Sequence, residues 1–444
     1  MTFMEWALGR AAKHPKLENA FVNANGDWLD ILLPDGRAFR FRPNAMIKSD
    51  ATVEQREILL DRLIDIGVEQ AEESQLAEAA DSAAEGTEDS SADQPDGVAE
   101  LSENSTDAYV PVDAEWDEAK KDAPIVPIVR AADYFLPSHK SSDSMVYLPL
   151  TDFLAVGIAH DLPDTIEPIY YTQLEDDTRE LGEVMSDAVS TLRHMASQKT
   201  DTVELQVTEI EGARVLAFIQ PPNYELSWFA DLDMIQQIAE RIAQERPDAI
   251  PLFVPAARTK LLIVFSDDPN LAKFFKQLLA HRDSADAVYP LPHTVAADGW
   301  LEWQPFPDSE LAEVLGALRN HFRERIYSSQ VMIMEKWKDV GALKPFVPRR
   351  LKSGERVSAT LWDATDGHGT IPVTDFITFT RQESPHPWEE GTPVNITVRS
   401  HIAAELWPEG FSQDDNMWPP RYTVKGFPDD ETLIKLRDAT DRRF

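Results

Sequence analysis

The chain has 444 residues, 42 basic against 78 acidic, for a net charge of −36, with 43% hydrophobic residues and no cysteine. That length predicts two to three domains with real cores, and the charge argues against binding a nucleic-acid backbone or an anionic membrane surface. The lack of cysteine excludes disulfides, thiolate zinc sites and cysteine nucleophiles.

The first residues, MTFMEWALGRAAKHPK, carry Glu5 and no long apolar core, so they do not read as a secretory signal. No run of about 18 apolar residues is present for a membrane span, and the expected location is the cytoplasm. A helix is predicted from about Phe3 to Lys13, then a hairpin: Trp28–Leu33, the turn Pro34-Asp35-Gly36, and Arg37–Arg42 with clean alternation. A second helix from about Thr52 carries Leu59, Leu60, Leu63, Ile64 and Ile66, closing an α+β leader unit over residues 1–68. A unit of that size is marginal alone.

Residues 69–122 are expected to be an acidic, disordered linker. Between Glu69 and Ala108 there are 13 acidic residues and no Lys or Arg. One-sided charge with little apolar surface cannot offset chain entropy. A solvated tether is the plain reading; an acidic decoy for a basic partner is the sharper one.

A second α+β domain is predicted over 123–306. Its strands are Ile125–Val129, Tyr147–Leu150, Phe153–Ala159, Val203–Val207 and Arg214–Ile219, the last two flanking a Glu211-Gly212 turn. Leu181, Val184, Met185, Ala188, Leu192 and Met195 mark one helix face, and Met234, Ile235, Ile238 and Ile242 another that starts at Asp231 or Asp233. The apolar run Leu261–Phe265 reads as a buried strand. Asp268 and Pro269 suit the cap and first position of a helix lined by Leu271, Phe274, Phe275, Leu278 and Leu279. From Pro307 a long connecting helix spans about 307–345, either running towards Trp337 or breaking at Ser328-Ser329. A C-terminal α+β domain over 346–444 follows, with strands in VSATLW, DFITFT and VNITV and a last helix from Asp430. The fold class is therefore α+β, with helices packed on largely antiparallel sheets.

Several stretches of the central region, IVPIVR (Ile125–Arg130), LPLTDFLAVGIAHDLPD (Leu148–Asp164), STLRHM and IPLFVPAARTKLLIVFSDDP (Ile250–Pro269), resemble a bacterial family of unknown function typified by YtpQ. The resemblance covers about half the chain; the N-terminal unit is similar to that family's leader region, set apart here by the acidic insert. It implies a fold similar to type III secretion chaperones and YbjN-like proteins, and a binding module rather than an enzyme. In the family an Arg–Asp pair follows the proline-containing strand; here Thr259 follows Arg258, which weakens the expectation of a salt bridge at that turn.

The candidate catalytic residues are His160, Asp161 and Asp164, where a histidine and two carboxylates past a buried strand could hold a divalent metal or serve as acid and base. Against this, the two aspartates can simply cap a turn, and no further cluster at ligand spacing completes a site. Asp366-Gly367-His368-Gly369 can present a histidine, but a plain hairpin loop explains it better. No nucleotide-binding, nucleophile-elbow or zinc-protease motif occurs, so no cofactor is expected. The binding candidates are Arg258, Trp228 (with Tyr224 and Phe229 beside it) and the basic patch Arg349, Arg350 and Lys352, whose plain reading is an interdomain linker. Two functions remain open: a non-enzymatic cytoplasmic binding or adaptor protein, chaperone-like, acting on a protein partner and on neither nucleic acid nor membrane; or a hydrolase centred on His160, Asp161 and Asp164.

Overall fold

In a computed structural model of the chain, the described residues run from 3 to 68 and from 123 to 443, except 26–27, 35–36, 44–46, 48–51, 54–55, 137–143, 175–178, 197–202, 384–390, 415–416 and single positions. The predicted linker, 69–122, thus lies outside the described residues. Two compact units emerge: one comprises Met1–Pro124 with His160–Glu167, the other Ile125–Ala159 with Pro168–Phe444.

In the first unit, α1 (Phe3–Ala11) precedes three antiparallel strands, β1 (Phe21–Asn25), β2 (Trp28–Leu32) and β3 (Ala38–Phe41), paired in that order. Helix α2 covers residues 56–65. Alternation along β2 places Leu29 and Ile31 on the inner face, where they join Ala7, Ala11, Leu60 and Ile64 in one core. The strand missing from the sequence reading is β1, FVNAN, whose polar residues give no apolar period.

The second unit opens with β4 (Ile125–Ala131), α3 (Ala132–Phe135), β5 (Tyr147–Pro149) and β6 (Leu154–Asp161), with sheet order β4-β6-β5. The last two residues of β6, His160 and Asp161, fall in the first unit. A short β7 (Ile166–Pro168) and α4 (Leu181–Ala196) follow, then β8 (Leu205–Ile210), β9 (Ala213–Phe218), α5 (Leu232–Glu245), β10 (Pro251–Ala257), β11 (Lys260–Phe265), α6 (Leu271–Ala280), β12 (His293–Ala296) and β13 (Gly299–Glu302). Strands β8 to β13 build one six-stranded antiparallel sheet, ordered β13-β12-β10-β11-β9-β8. The β8–β9 turn places Glu211 and Gly212 at φ 52° and 81°, the positive pair that matches the right-handed twist of a two-residue hairpin.

At the centre of that sheet lies the apolar pair β10–β11. Leu252, Phe253, Val254, Leu261, Ile263 and Val264 are all fully buried, and each such side chain contributes about 1.5–3 kcal/mol. Asp268 does not cap the following helix as its position suggests. It accepts from the Asn270 and Arg214 backbone N–H groups at 2.8 and 2.9 Å, and α6 begins at Leu271 with Asn270 at the cap position. By contrast Asp231 does cap α5, taking the Met234 N–H at 3.1 Å while Arg193 of α4 grips it with two 2.6 Å hydrogen bonds.

Helix α7 (Glu310–Met334) is continuous through Ser328-Ser329 and starts at the Ser309 cap, later than Pro307. It is a spine more than a connector. One side packs on α3 and α6, and the other on the C-terminal strands. Those strands are β14 (Ala342–Leu343), β15 (Val347–Arg350), β16 (Arg356–Asp363), β17 (His368–Pro372), β18 (Phe376–Glu383), β19 (Thr392–Arg399), β20 (Phe411–Asp414) and β21 (Arg421–Lys425), with α8 (Ser400–Leu406) before β20 and α9 (Asp430–Asp438) last. They form two four-stranded sheets, β14-β17-β21-β20 and β15-β16-β18-β19, with parallel pairs at β14–β17 and β16–β18. The described residues are an α+β fold with mostly antiparallel sheets.

Asp366-Gly367-His368-Gly369 is not a hairpin loop, because β16 and β17 belong to different sheets. Asp366 locks the crossing by pairing with Lys344 at 2.6 Å and accepting the Asp363 N–H at 2.6 Å.

One core residue carries a pH consequence. His293 is 1% exposed between Phe229, Tyr289 and Trp300, with Nδ1 2.8 Å from the Leu291 carbonyl oxygen. Burial pulls it down to about 4 from 6.5, so it is neutral in the fold. A depressed folded value means its stability is present above the unfolded value and is lost as pH falls from 6.5 to about 4. The loss is expected to be about 3 kcal/mol. Urea midpoints across that window should fall in the parent and flatten in His293→Leu; equal slopes in both would refute the assignment.

Candidate functional site

An anion-receiving site needs surplus positive charge, access, and donors not already engaged. Three arginine clusters of the second unit can be ranked on those terms.

The first surrounds Glu302 at the end of β13. Arg319 and Arg323, one helical turn apart on α7, reach its two oxygens at 2.7 and 3.1 Å, and the Tyr289 hydroxyl donates to it at 2.9 Å. Arg323 also donates from Nε to the Tyr289 oxygen at 3.1 Å and lies 4.5 Å over the Phe153 ring. Burial alone would raise the Glu302 carboxyl, but the charges of Arg323 and Arg319 outweigh it and hold it below the carboxylate range. This cluster satisfies itself and clamps helix to sheet.

The second is Arg421, fully buried in β21. It donates to Thr370 Oγ1 at 2.9 Å, Gln330 Oε1 at 3.1 Å, and the carbonyls of Lys344 and Thr370 at 3.2 and 3.3 Å. Its position between α7 and two strands, without access, makes it structural.

The third is open. Arg130 stands at the end of β4, where only its Nη1 is engaged, with the Val129 carbonyl at 2.8 Å, and its guanidinium lies 5.7 Å over the Tyr134 ring of α3. No carboxylate among the described residues pairs with it. Arg258, at the β10–β11 turn, is near enough for its charge to act on Arg130, as do the hydroxyls of Tyr134 and Tyr224. Burial lowers the Arg130 pKa, and the Arg258 charge lowers it further; burial raises that of Tyr134. Arg258 itself pairs with Asp286 at 2.6 Å and donates its N–H to the Asp286 carbonyl at 2.9 Å. The salt bridge that Thr259 made doubtful is therefore formed, with an acid from the segment after α6 in place of the neighbouring residue. Arg130 and Tyr134 are half-buried, and the Arg258 side chain is 21% exposed.

The remaining sequence candidates are placed as follows. Trp228 is 1% exposed in the core, its Nε1 donating to the Gln220 carbonyl at 2.6 Å, so it presents no binding surface. Phe229 beside it stacks on Trp300 at 3.8 Å. Arg349 and Arg350 do not sit in a linker; they occupy strand β15, opposite Val357 and Arg356, and Arg350 pairs with Glu313 of α7 at 2.6 Å. His160 and Asp161 end β6, half-buried, and the Asp161 N–H donates to the Pro124 carbonyl at 2.9 Å. Asp164 lies outside the described residues. Among the described residues, no group of three His, Asp or Glu side chains is arranged to hold a metal.

Sequence reasoning missed Arg130 and Asp286. Arg130 was in view as the end of IVPIVR, yet a strand-end arginine carries no local sign of a partner 128 residues away (258 − 130). No helix among the described residues is long and apolar enough to cross a membrane. Comparison with family models, curated proteins and solved structures finds no match for this chain.

Proposed function

We propose that this chain is a non-enzymatic cytoplasmic binding or adaptor protein, chaperone-like in acting through contacts with a protein partner, and that Arg130 and Arg258 form its recognition site. The observation that carries the reading is that Arg130, half-buried at the end of β4, has no carboxylate paired with it among the described residues and feels the charge of Arg258. A surplus guanidinium that is half-buried and beside a second one is costly to keep unless an anion completes it. The likeness of IVPIVR (Ile125–Arg130) and IPLFVPAARTKLLIVFSDDP (Ile250–Pro269) to the YtpQ-like family is consistent with this, since the two stretches carry Arg130 and Arg258.

In-cell crosslinking with mass spectrometry tests the proposal. A specific partner should crosslink to the surface around residues 130 and 258, and Arg130→Glu should reduce its recovery at least tenfold without shifting the thermal midpoint by more than a few degrees. Undiminished recovery in that variant, or crosslinks that map elsewhere, would refute it.

A further inference from the structure

The six-stranded sheet ends at β8, on an edge that no further strand among the described residues closes. We infer that this edge takes up an extended, positively charged segment of a protein partner, which pairs with β8 as a further strand of the sheet.

The backbone is laid out for such pairing. All six residues of β8 pair with β9 in unbroken antiparallel register, from Leu205 opposite Phe218 to Ile210 opposite Ala213. In such a ladder every second residue turns its N–H and C=O away from the neighbouring strand. Among the described residues, no hydrogen bond other than the β9 ladder reaches these backbone groups. Gln206, Val207, Thr208 and Glu209 are all exposed. Successive side chains point to opposite faces, so both faces of β8 are open as well as its edge.

Other sheet edges of the second unit carry features that obstruct pairing. Strand β13 is tied to α7 through Glu302 and its two arginines, and β5 is three residues long and ends in Pro149. Strand β15 bears Pro348 beside Arg349 and Arg350. On β19, the Thr397 carbonyl accepts the Asp441 N–H of the C-terminal segment at 3.1 Å. Strand β8 has no proline, lysine or arginine, and no bulge interrupts it.

Charge selects the partner. Glu204, Glu209 and Glu211 are exposed along this edge and its turn, and none has an ion pair among the described residues. Arg214 stands opposite Glu209 in the hairpin, with no ion pair between them. Val207 and Glu209 share one face, so the matching strand carries an apolar residue and, two positions away, Lys or Arg. The net charge of −36 draws a cationic segment from a distance and repels an acidic one. A nucleic acid offers neither the strand backbone nor the sign.

The hairpin is also fixed in advance. Asp268 accepts the Arg214 N–H at 2.9 Å, and Asn270 Nδ2 donates to the Gly212 carbonyl at 2.9 Å. The β8–β9 turn is thus pinned to the loop before α6, and an ordered template loses less entropy when a strand docks.

Hydrogen exchange read by mass spectrometry on the full chain tests this with three octapeptides. One alternates Lys with Val and Thr; the second has Glu in place of Lys; the third keeps the first one's side chains but methylates alternate backbone nitrogens. The first should slow exchange at least fivefold within Leu205–Ile210, and the other two should not. Glu204→Gln combined with Glu209→Gln should require at least threefold more of the first peptide. Adjacent residues alternate in facing β9, so only one of Val207→Pro and Thr208→Pro disturbs that ladder. The variant that keeps the parent's thermal midpoint should lose the protection. Equal protection by the Glu or methylated peptide, protection that maps elsewhere, or a folded proline variant that retains it would overturn the inference. Protection of β8 that grows with protein concentration without peptide would make a second copy the occupant and overturn it as well. Arg130→Glu should leave the β8 protection unchanged, and its loss there would place the peptide at that arginine instead.

Discussion

Arg421→Ala is expected to destabilise the second unit by about 3–5 kcal/mol, the loss seen when a buried charged group and its partners are broken apart. The guanidinium is fully buried and held by one hydroxyl, one amide oxygen and two carbonyls, with the Tyr327 ring 5.8 Å away. Burial pulls its pKa down to about 10, still far above neutrality, so it remains charged in the fold. Truncation would leave a cavity and strip donors from Gln330 Oε1 and the Lys344 carbonyl, each of which costs about 1–3 kcal/mol when buried unpaired; the Thr370 carbonyl keeps the Lys344 N–H. Arg421→Met refills the volume and removes the desolvation cost, and should recover part of the loss. Urea denaturation of both variants against the parent decides it. A change below about 1 kcal/mol for Arg421→Ala would show that the guanidinium is not the tie between α7 and the β14-β17-β21-β20 sheet.

Glu302→Ala should cost about as much, about 3–5 kcal/mol, for the opposite reason: it strands two buried cations. Arg319, Arg323 and the Tyr289 hydroxyl all converge on that one carboxylate, at 2.7, 3.1 and 2.9 Å. The pH dependence is fixed in sign. A carboxyl held below its unfolded value contributes stability above the unfolded pKa of about 4.3 and loses it as pH falls below that. The parent should therefore weaken steeply under acid, with a slope that Glu302→Gln reduces, while Gln keeps the shape and some of the hydrogen bonds. Denaturation midpoints at pH 7 and at decreasing pH separate the two effects. Equal acid slopes in parent and variant would place the sensitivity in another group. This window lies below most of the His293 one, so the two contributions can be read apart.

Local patterns were legible where one residue's chemistry suffices. The run of apolar residues at Leu261–Phe265 gave a buried strand, and Asp231 or Asp233 a helix start that the structure assigns to Asp231, because apolar period and short polar side chains act within a few residues. Glu211-Gly212 gave its turn for the same reason. Asp268 misled, since its side chain is taken by the backbone of Arg214 in β9 before it can cap a helix. Strand β1 escaped because Phe21 and Asn23 are exposed, its residues show no clean apolar period, and only pairing with β2 makes it a strand. Arg349 and Arg350 resembled linker residues because sequence shows charge but not the ladder that orders them.

The sequence by itself determined the α+β class, the positions of most strands and helices, and the lack of thiol chemistry. Composition and period fix these, and each is summed over many neighbouring residues. Only the tertiary structure decided that α7 packs on α3 and α6 as well as on β15 and β16, that Trp228 is core, and that Arg258 pairs with Asp286. Those depend on contacts between residues far apart in the chain. A charged side chain reads alike in sequence whether its partner is water, a carboxylate or nothing. Arg421, Arg319 and Arg130 therefore looked equivalent, and burial together with the supply of acceptors made one a tie, one a clamp, and left the third without a carboxylate among the described residues.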